Sequence, residues 1–221
     1  MEATSWTLVT LAAAGDDSAR SRFWSSYVTP IRAYLQKRWF GSPLRDQVED
    51  AVQDVFIECF KEGGALEAAD AARGGFRGFL FGVVRNVARR FEARRPQPAA
   101  LAEQTAWWTA LPAREASLSR FFDREWALGM LRQAIVKHEE RVTALDDGSA
   151  RRWQVLKLRI DDGLPIRQIA EHLGEDTATV HNEYRRARRE FKASLRDVVA
   201  FHGAEDLEAE CQRLIALLGE G

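Results

Sequence analysis

The side chains in this sequence best able to do chemistry fall into three helical groups. The richest group lies between Val180 and Leu195. At 100° per residue, Val180, Tyr184, Ala187, Phe191 and Leu195 share one arc and form a stripe suited to burial. His181, Asn182, Arg185, Arg186, Arg188, Arg189 and Lys192 occupy the rest of the circumference. Arginine and asparagine carry the paired donors that read base edges, while arginine and lysine neutralise phosphate. The acids Glu183 and Glu190 sit together at one edge, so the middle of the exposed arc holds none. A merely solvated face would mix the signs.

The second group runs Phe76-Arg-Gly-Phe-Leu-Phe-Gly-Val-Val-Arg85-Asn86-Val-Ala-Arg89. Phe76, Leu80, Val83 and Val87 cluster on one side, and Arg77, Arg85 and Arg89 point the other way. An arginine face suits phosphate, and neighbouring aromatics can stack on unpaired bases. The third group, Asp46-Gln-Val-Glu49-Asp50-Ala-Val-Gln53-Asp54-Val-Phe56, lines carboxylates along one side of an amphipathic helix. By itself that pattern is more often a solvated face than an interface.

Nothing suggests an enzyme. His138, His172, His181 and His202 form no ligand pair at useful spacing, and no phosphate loop or nucleophile motif appears. Cys59 and Cys211 lie far apart, each within an apolar helical stripe, and read as packing residues. Neither a catalytic group, a metal site nor a cofactor is expected.

The elements that must position these groups are helices throughout, since apolar residues recur at helical spacing and no alternating strand stands out. The spacing predicts helices over about 18–40 (capped by Asp17), 46–61 and 76–94. Pro96 and Pro98 stop the third, because proline removes a backbone donor and crowds the preceding turn. Residues 96–118 hold three of the six prolines and read as a linker, with Trp107 and Trp108 suggesting that part of it docks. A second helical block runs from near Phe121 to about Ala200. Within it, Gln168-Ile-Ala-Glu-His-Leu-Gly174 followed by Glu-Asp-Thr-Ala-Thr-Val180 is written like a helix-turn-helix. Ile169 and Leu173 point inward, Gly174 makes the turn, and Asp176 or Thr177 caps the next helix. A break at Gly203 precedes an amphipathic tail carrying Leu207, Cys211, Leu214, Ile215 and Leu218. It should pack on a helical domain, most simply the adjacent one, and its acids could screen the basic recognition face. The expected fold is all-α: a helical domain (1–95), a linker (96–118), a second helical domain (119–202) and a tail helix (203–221).

The 221 residues suffice for two small domains. No apolar run nears the roughly 18 residues of a membrane span, and the start lacks the charge and apolar pattern of a signal peptide. A cytoplasmic protein with no membrane partner is expected. The formal charge of −1 conceals a polar distribution. Residues 77–95 carry six arginines against Glu92, a balance of +5. Residues 181–196 carry five arginines and Lys192 against two acids, a balance of +4, and residues 197–221 carry six acids against Arg213, a balance of −5.

The three groups, in this order, resemble the extracytoplasmic-function (ECF) sigma factors of bacterial RNA polymerase. Asp46–Phe56 is similar to the family's region-two pattern D-x-x-E-D-x-x-Q-E-V-F. Phe76–Asn86 resembles F-R-x-W-L-x-x-I-A-R-N, with Phe79 at the tryptophan position. Gln168–Arg189 resembles region four, ending in Arg185-Arg-Ala-Arg-Arg189, and Phe122-Asp-Arg-Glu-Trp126-Ala looks like a subgroup with an extended carboxy terminus. The resemblance spans roughly 150 of the 221 residues. It implies a sigma region-two bundle and a region-four helix-turn-helix, acting in promoter-specific transcription initiation. Glu49, Asp50, Gln53, Asp54 and Phe56 would then dock on the clamp helices of the largest subunit of core RNA polymerase. Phe76, Arg77, Arg85, Asn86 and Arg89, with the preceding loop, would open and read the minus-ten element of promoter DNA. His181, Asn182, Arg185 and Arg186 would face the minus-thirty-five element, with Arg189 and Lys192 on its phosphates. The linker would thread toward the polymerase's active-site and RNA-exit channel, and an anti-sigma factor or other regulator is a further partner class. His181-Asn182-Glu183 stands where many members have Arg-Ser-Arg, which implies one lost phosphate contact and an altered preferred sequence.

The chief alternative is a stand-alone helix-turn-helix regulator of transcription, which would explain the second domain but leave the acid and arginine helices without a purpose. A helical scaffold predicts no DNA affinity at all.

Overall fold

The computed structural model describes residues 5–69, 75–94, 102–144, 147–202 and 207–219, with backbone alone at 5, 102–110, 112, 113, 207 and 215–219. Among the described residues the fold is all-α. Nine helices follow in order: α1 Ser5–Ala13, α2 Asp17–Arg38, α3 Val48–Phe60, α4 Phe76–Ala93, α5 Ala102–Thr143, α6 Asp147–Ile160, α7 Ile166–Leu173, α8 Thr177–Phe201 and α9 Leu207–Gly219, with a 3-10 turn Arg45–Gln47 before α3. None is long and apolar enough to cross a membrane. Helix α1 was not anticipated, and the cap of α2 is Asp16 rather than Asp17: its carboxylate accepts from the Ala19 N–H at 2.6 Å.

The chain divides into two compact units, Met1–Gly129 with Ala200–Gly221, and Met130–Val199. These bounds differ from the expected ones. The segment read as a linker is helical from Ala102, and α5 runs unbroken through Pro112. Residues 95–101 lie outside those described, as do the side chains of Trp107 and Trp108. The tail helix clusters with the first unit rather than with the adjacent second block.

In the first unit the apolar stripe of α2 supplies the core. Phe23 meets Phe56 of α3 at a centroid distance of 6.0 Å, Phe60 at 5.4 Å and Phe76 of α4 at 5.7 Å. Tyr27 stacks on Trp126 of α5 at 5.2 Å, and Tyr34 meets Phe122 edge-on at 5.9 Å. Leu118, Phe122 and Trp126 are buried, which explains why the helix persists where prolines suggested a tether. Each such side chain contributes about 1.5–3 kcal/mol on burial, enough to outweigh one awkward proline of about 3 kcal/mol.

A buried charge joins α5 to the bundle. Arg38 of α2 is 1% exposed. Its guanidinium donates to both Glu92 oxygens of α4 at 2.6 and 2.9 Å, to Glu115 of α5 at 3.0 Å and to the Tyr34 hydroxyl at 3.0 Å. Burial works against its charged form, but the Glu92 hydrogen bond with its neighbours more than offsets this and holds its pKa above the ordinary arginine value. Trp39 Nε1 also donates to Glu92, at 3.0 Å.

In the second unit, Val155 of α6, Ile169 and Ala170 of α7 and Val180 of α8 form the core, flanked by Leu158, Leu164, Ile166, Leu173 and Tyr184. His138, Trp153 and Phe191 pack beside one another, Trp153 and Phe191 stacked at 5.9 Å. His138 Nδ1 lies 3.2 Å from the Ser194 hydroxyl.

Candidate functional site

The helix-turn-helix is assembled by its turn. Gly174 closes α7 at φ 67°, a left-handed conformation that glycine adopts without strain. The Glu175 N–H donates back to the Ala170 carbonyl at 3.0 Å, completing the helix end. Asp176 then caps α8, accepting the Thr179 N–H at 2.9 Å. That hydrogen bonding, led by the Thr179 side chain, lowers the Asp176 pKa. Of the two expected caps, Asp176 is the one that acts.

The buried stripe of α8 is as expected at Val180, Ala187 and Leu195, with Tyr184 and Phe191 half-buried. His181, Asn182, Arg185, Arg186, Arg188, Arg189 and Lys192 are all exposed. Among the described residues, no carboxylate pairs with Arg185, Arg186 or Arg189. The three acids of the helix turn elsewhere: Glu183 accepts from Arg151 of α6 at 3.1 Å, Glu190 from Arg152 at 2.8 Å, and Asp197 pairs with Lys137 and Arg141 of α5. The result is a continuous cationic and amide surface along one helix, able to contact phosphates and base edges.

On α3, Glu49, Asp50 and Gln53 are exposed and Asp54 is half-buried. Glu49 is held by a forked pair with Arg32 of α2 at 2.7 and 2.9 Å. That hydrogen bond lowers the Glu49 pKa and raises that of Arg32. Phe56 departs from its expected place on this surface. It is 4% exposed and packs on Trp24 and Phe23, because at 100° per residue it shares the arc of Val52, Val55 and Cys59. The apolar residue that α3 does present is Ile57, 60% exposed and one turn beyond Gln53. Its angle, within about 20° of Asp50, was the available signal.

The arginine helix departs further. Phe76 is 1% exposed and touches Trp6, Phe23 and Tyr27, so it supports the core and presents no ring to a base. Arg77 is half-buried and paired with Asp123 of α5. Burial lowers its pKa, Arg213 of α9 adds to this and Glu210 opposes it. Arg85 is half-buried, its guanidinium 5.9 Å from the Phe81 ring centre, and Asn86 is exposed. Arg89 is exposed and lies 3.6 Å from Glu115. The arginine face is thus largely met by acids of the chain itself. The loop before α4 is described only in part, since residues 70–74 fall outside.

Both cysteines are buried, as their stripes suggest. Among the described residues, no group of three or more histidine, cysteine or acidic side chains could hold a metal ion. Sequence reasoning missed the Arg38 node, although Arg38 continues the Tyr27, Ile31, Tyr34 stripe at helical spacing. No protein-family model matches the chain, and no curated protein matches it.

Proposed function

We propose that the chain is a sigma factor of the extracytoplasmic-function type, working in the cytoplasm, where it binds core RNA polymerase and directs transcription initiation at particular promoters. The observation that carries this reading is the acid-free outer face of α8, set behind a capped, glycine-closed turn. His181, Asn182, Arg185 and Arg186 would read the upstream promoter element, and Arg189 and Lys192 would hold its phosphates. Asp50, Gln53 and Ile57 supply the exposed part of a polymerase-docking helix. The protein is not itself an enzyme in this reading.

Run-off transcription from genomic fragments, with and without core polymerase, tests the proposal. Discrete, polymerase-dependent start sites are the expected result.

A second reading has one observation in its favour. Phe76 is buried and Arg77 and Arg89 face internal acids, so the minus-ten role rests on fewer residues than the sequence resemblance implied. A stand-alone helix-turn-helix regulator needs only the second unit. Such proteins usually dimerise on two half-sites, so a symmetric footprint formed without polymerase decides for that reading and against the sigma factor.

A further inference from the structure

Glu183 and Glu190 stand in positions from which they should disable the recognition face. At 100° per residue they lie about 20° apart on α8, with Arg186 beside them. Arg186 is three residues after Glu183 and four before Glu190, the two spacings at which helical side chains of opposite charge pair. Left to themselves, both carboxylates would draw the Arg186 guanidinium away from any phosphate.

Neither does so. Arg151 Nε donates to Glu183 at 3.1 Å, and another nitrogen of the same guanidinium lies 2.7 Å from Glu175 in the turn. Arg152 Nε donates to Glu190 at 2.8 Å while its second arm donates to the Ser149 hydroxyl at 2.7 Å. Both arginines belong to α6, so the neutralisation draws on no cation of the recognition helix. Arg186 is exposed and, among the described residues, has no carboxylate partner.

The geometry points to Arg151 and Arg152 as positioning residues for DNA binding: they hold Glu183 and Glu190 off Arg186 and so keep that guanidinium available to the duplex. This rests on the DNA-binding reading of α8 and adds to it a requirement placed on a second helix, α6.

The test uses the full chain and a fluorescent mixed-sequence duplex, titrated over a series of salt concentrations. The variant R151Q/R152Q should bind about three- to tenfold more weakly at low salt. The slope of log affinity against log salt should shrink by about one, the share of one lost phosphate contact. Adding E183Q/E190Q to that variant should restore both affinity and slope, and E183Q/E190Q alone should leave the wild-type values unchanged. R186Q should reproduce the loss in the wild type and add nothing in R151Q/R152Q, because the two changes remove the same contact. A folded quadruple variant that stays weak overturns the proposal, since the arginines would then touch DNA themselves or act only on stability. If R151Q/R152Q does not fold, a marked gain of affinity in E183Q/E190Q alone overturns it instead. A wild-type chain with no salt-dependent affinity for the duplex overturns the DNA-binding reading and this proposal with it.

Discussion

Arg77 of α4 is paired with Asp123 of α5, so a residue that the sequence directed toward a DNA strand is held against its own chain. The pair is partly buried, and a charged hydrogen bond of this kind contributes about 1.5–3 kcal/mol. Arg77→Gln and Asp123→Asn are each expected to lower the unfolding free energy by an amount of that order. Urea denaturation of the singles and the double should show a coupling, the double costing less than the sum. An additive double variant, or a normal stability with a reduced salt slope for DNA, would return Arg77 to the role of phosphate contact.

Phe56 and Ile57 are neighbours in sequence with opposite fates. Phe56→Ala should cost about 3–5 kcal/mol of stability, as large core truncations do. Ile57→Asp should leave stability within about 0.5 kcal/mol, because its side chain is exposed. If α3 docks on core polymerase, Ile57→Asp and Gln53→Ala should nevertheless lose capture of the polymerase, with hot-spot truncation costing ~2 kcal/mol or more. Wild-type capture by both folded variants would remove α3 from the interface.

Burial pushes the His202 imidazole down to about 4, with its Nδ1 3.1 Å from the Tyr27 hydroxyl. The unfolded chain has an ordinary histidine pKa near 6.5, so below that pH it takes up a proton that the folded chain refuses. Stability should therefore fall as the pH drops from about 6.5 toward 4, by up to about 3 kcal/mol, and level off below. Burial lowers the His138 pKa as well, which adds to the same trend. His202→Phe should flatten the curve over this window and leave only the remaining part; an unchanged slope in denaturant titrations at several pH values would refute the assignment.

Within the recognition face, the residues should separate by kind. Arg189→Ala is expected to weaken binding to all sequences alike and to reduce the salt slope by about one. Asn182→Ala and Arg185→Ala should instead relax sequence preference, at about 1–3 kcal/mol per lost bidentate contact. Selection from a randomised duplex library distinguishes the two. An unchanged preference in both latter variants would end the base-reading role.

The sequence was most readable where one helix face alone decides the outcome. The stripe of α8 and the turn at Gly174 follow from local spacing and turn chemistry, and they appear where expected. Phe56 and Phe76 owe their implied surface roles to the family pattern alone. Helical angle instead groups Phe76 with Leu80, Val83 and Val87 and Phe56 with Val52, Val55 and Cys59, and both are buried. The 102–118 segment was misread because Pro96, Pro98 and Pro112 speak locally, whereas the burial of Leu118, Phe122 and Trp126 is a tertiary effect. Pro30 inside α2 makes the same point: it is buried within an intact helix. The pairing of Glu183 and Glu190 with α6 could not be foreseen either, since nothing local brings Arg151 and Arg152 beside them.

The Arg38 node also constrains how this sequence can diverge. Losing Arg38 alone would strand Glu92 and Glu115 without their shared cation, and removing one partner of a buried ion pair costs about 3–5 kcal/mol. A wholly apolar replacement of similar volume could be neutral or even stabilising, but single substitutions reach it only through those unstable intermediates. Positions 38, 92 and 115 are therefore expected to be inherited as a set, co-varying in descendants of this chain even where the exposed residues around them drift freely.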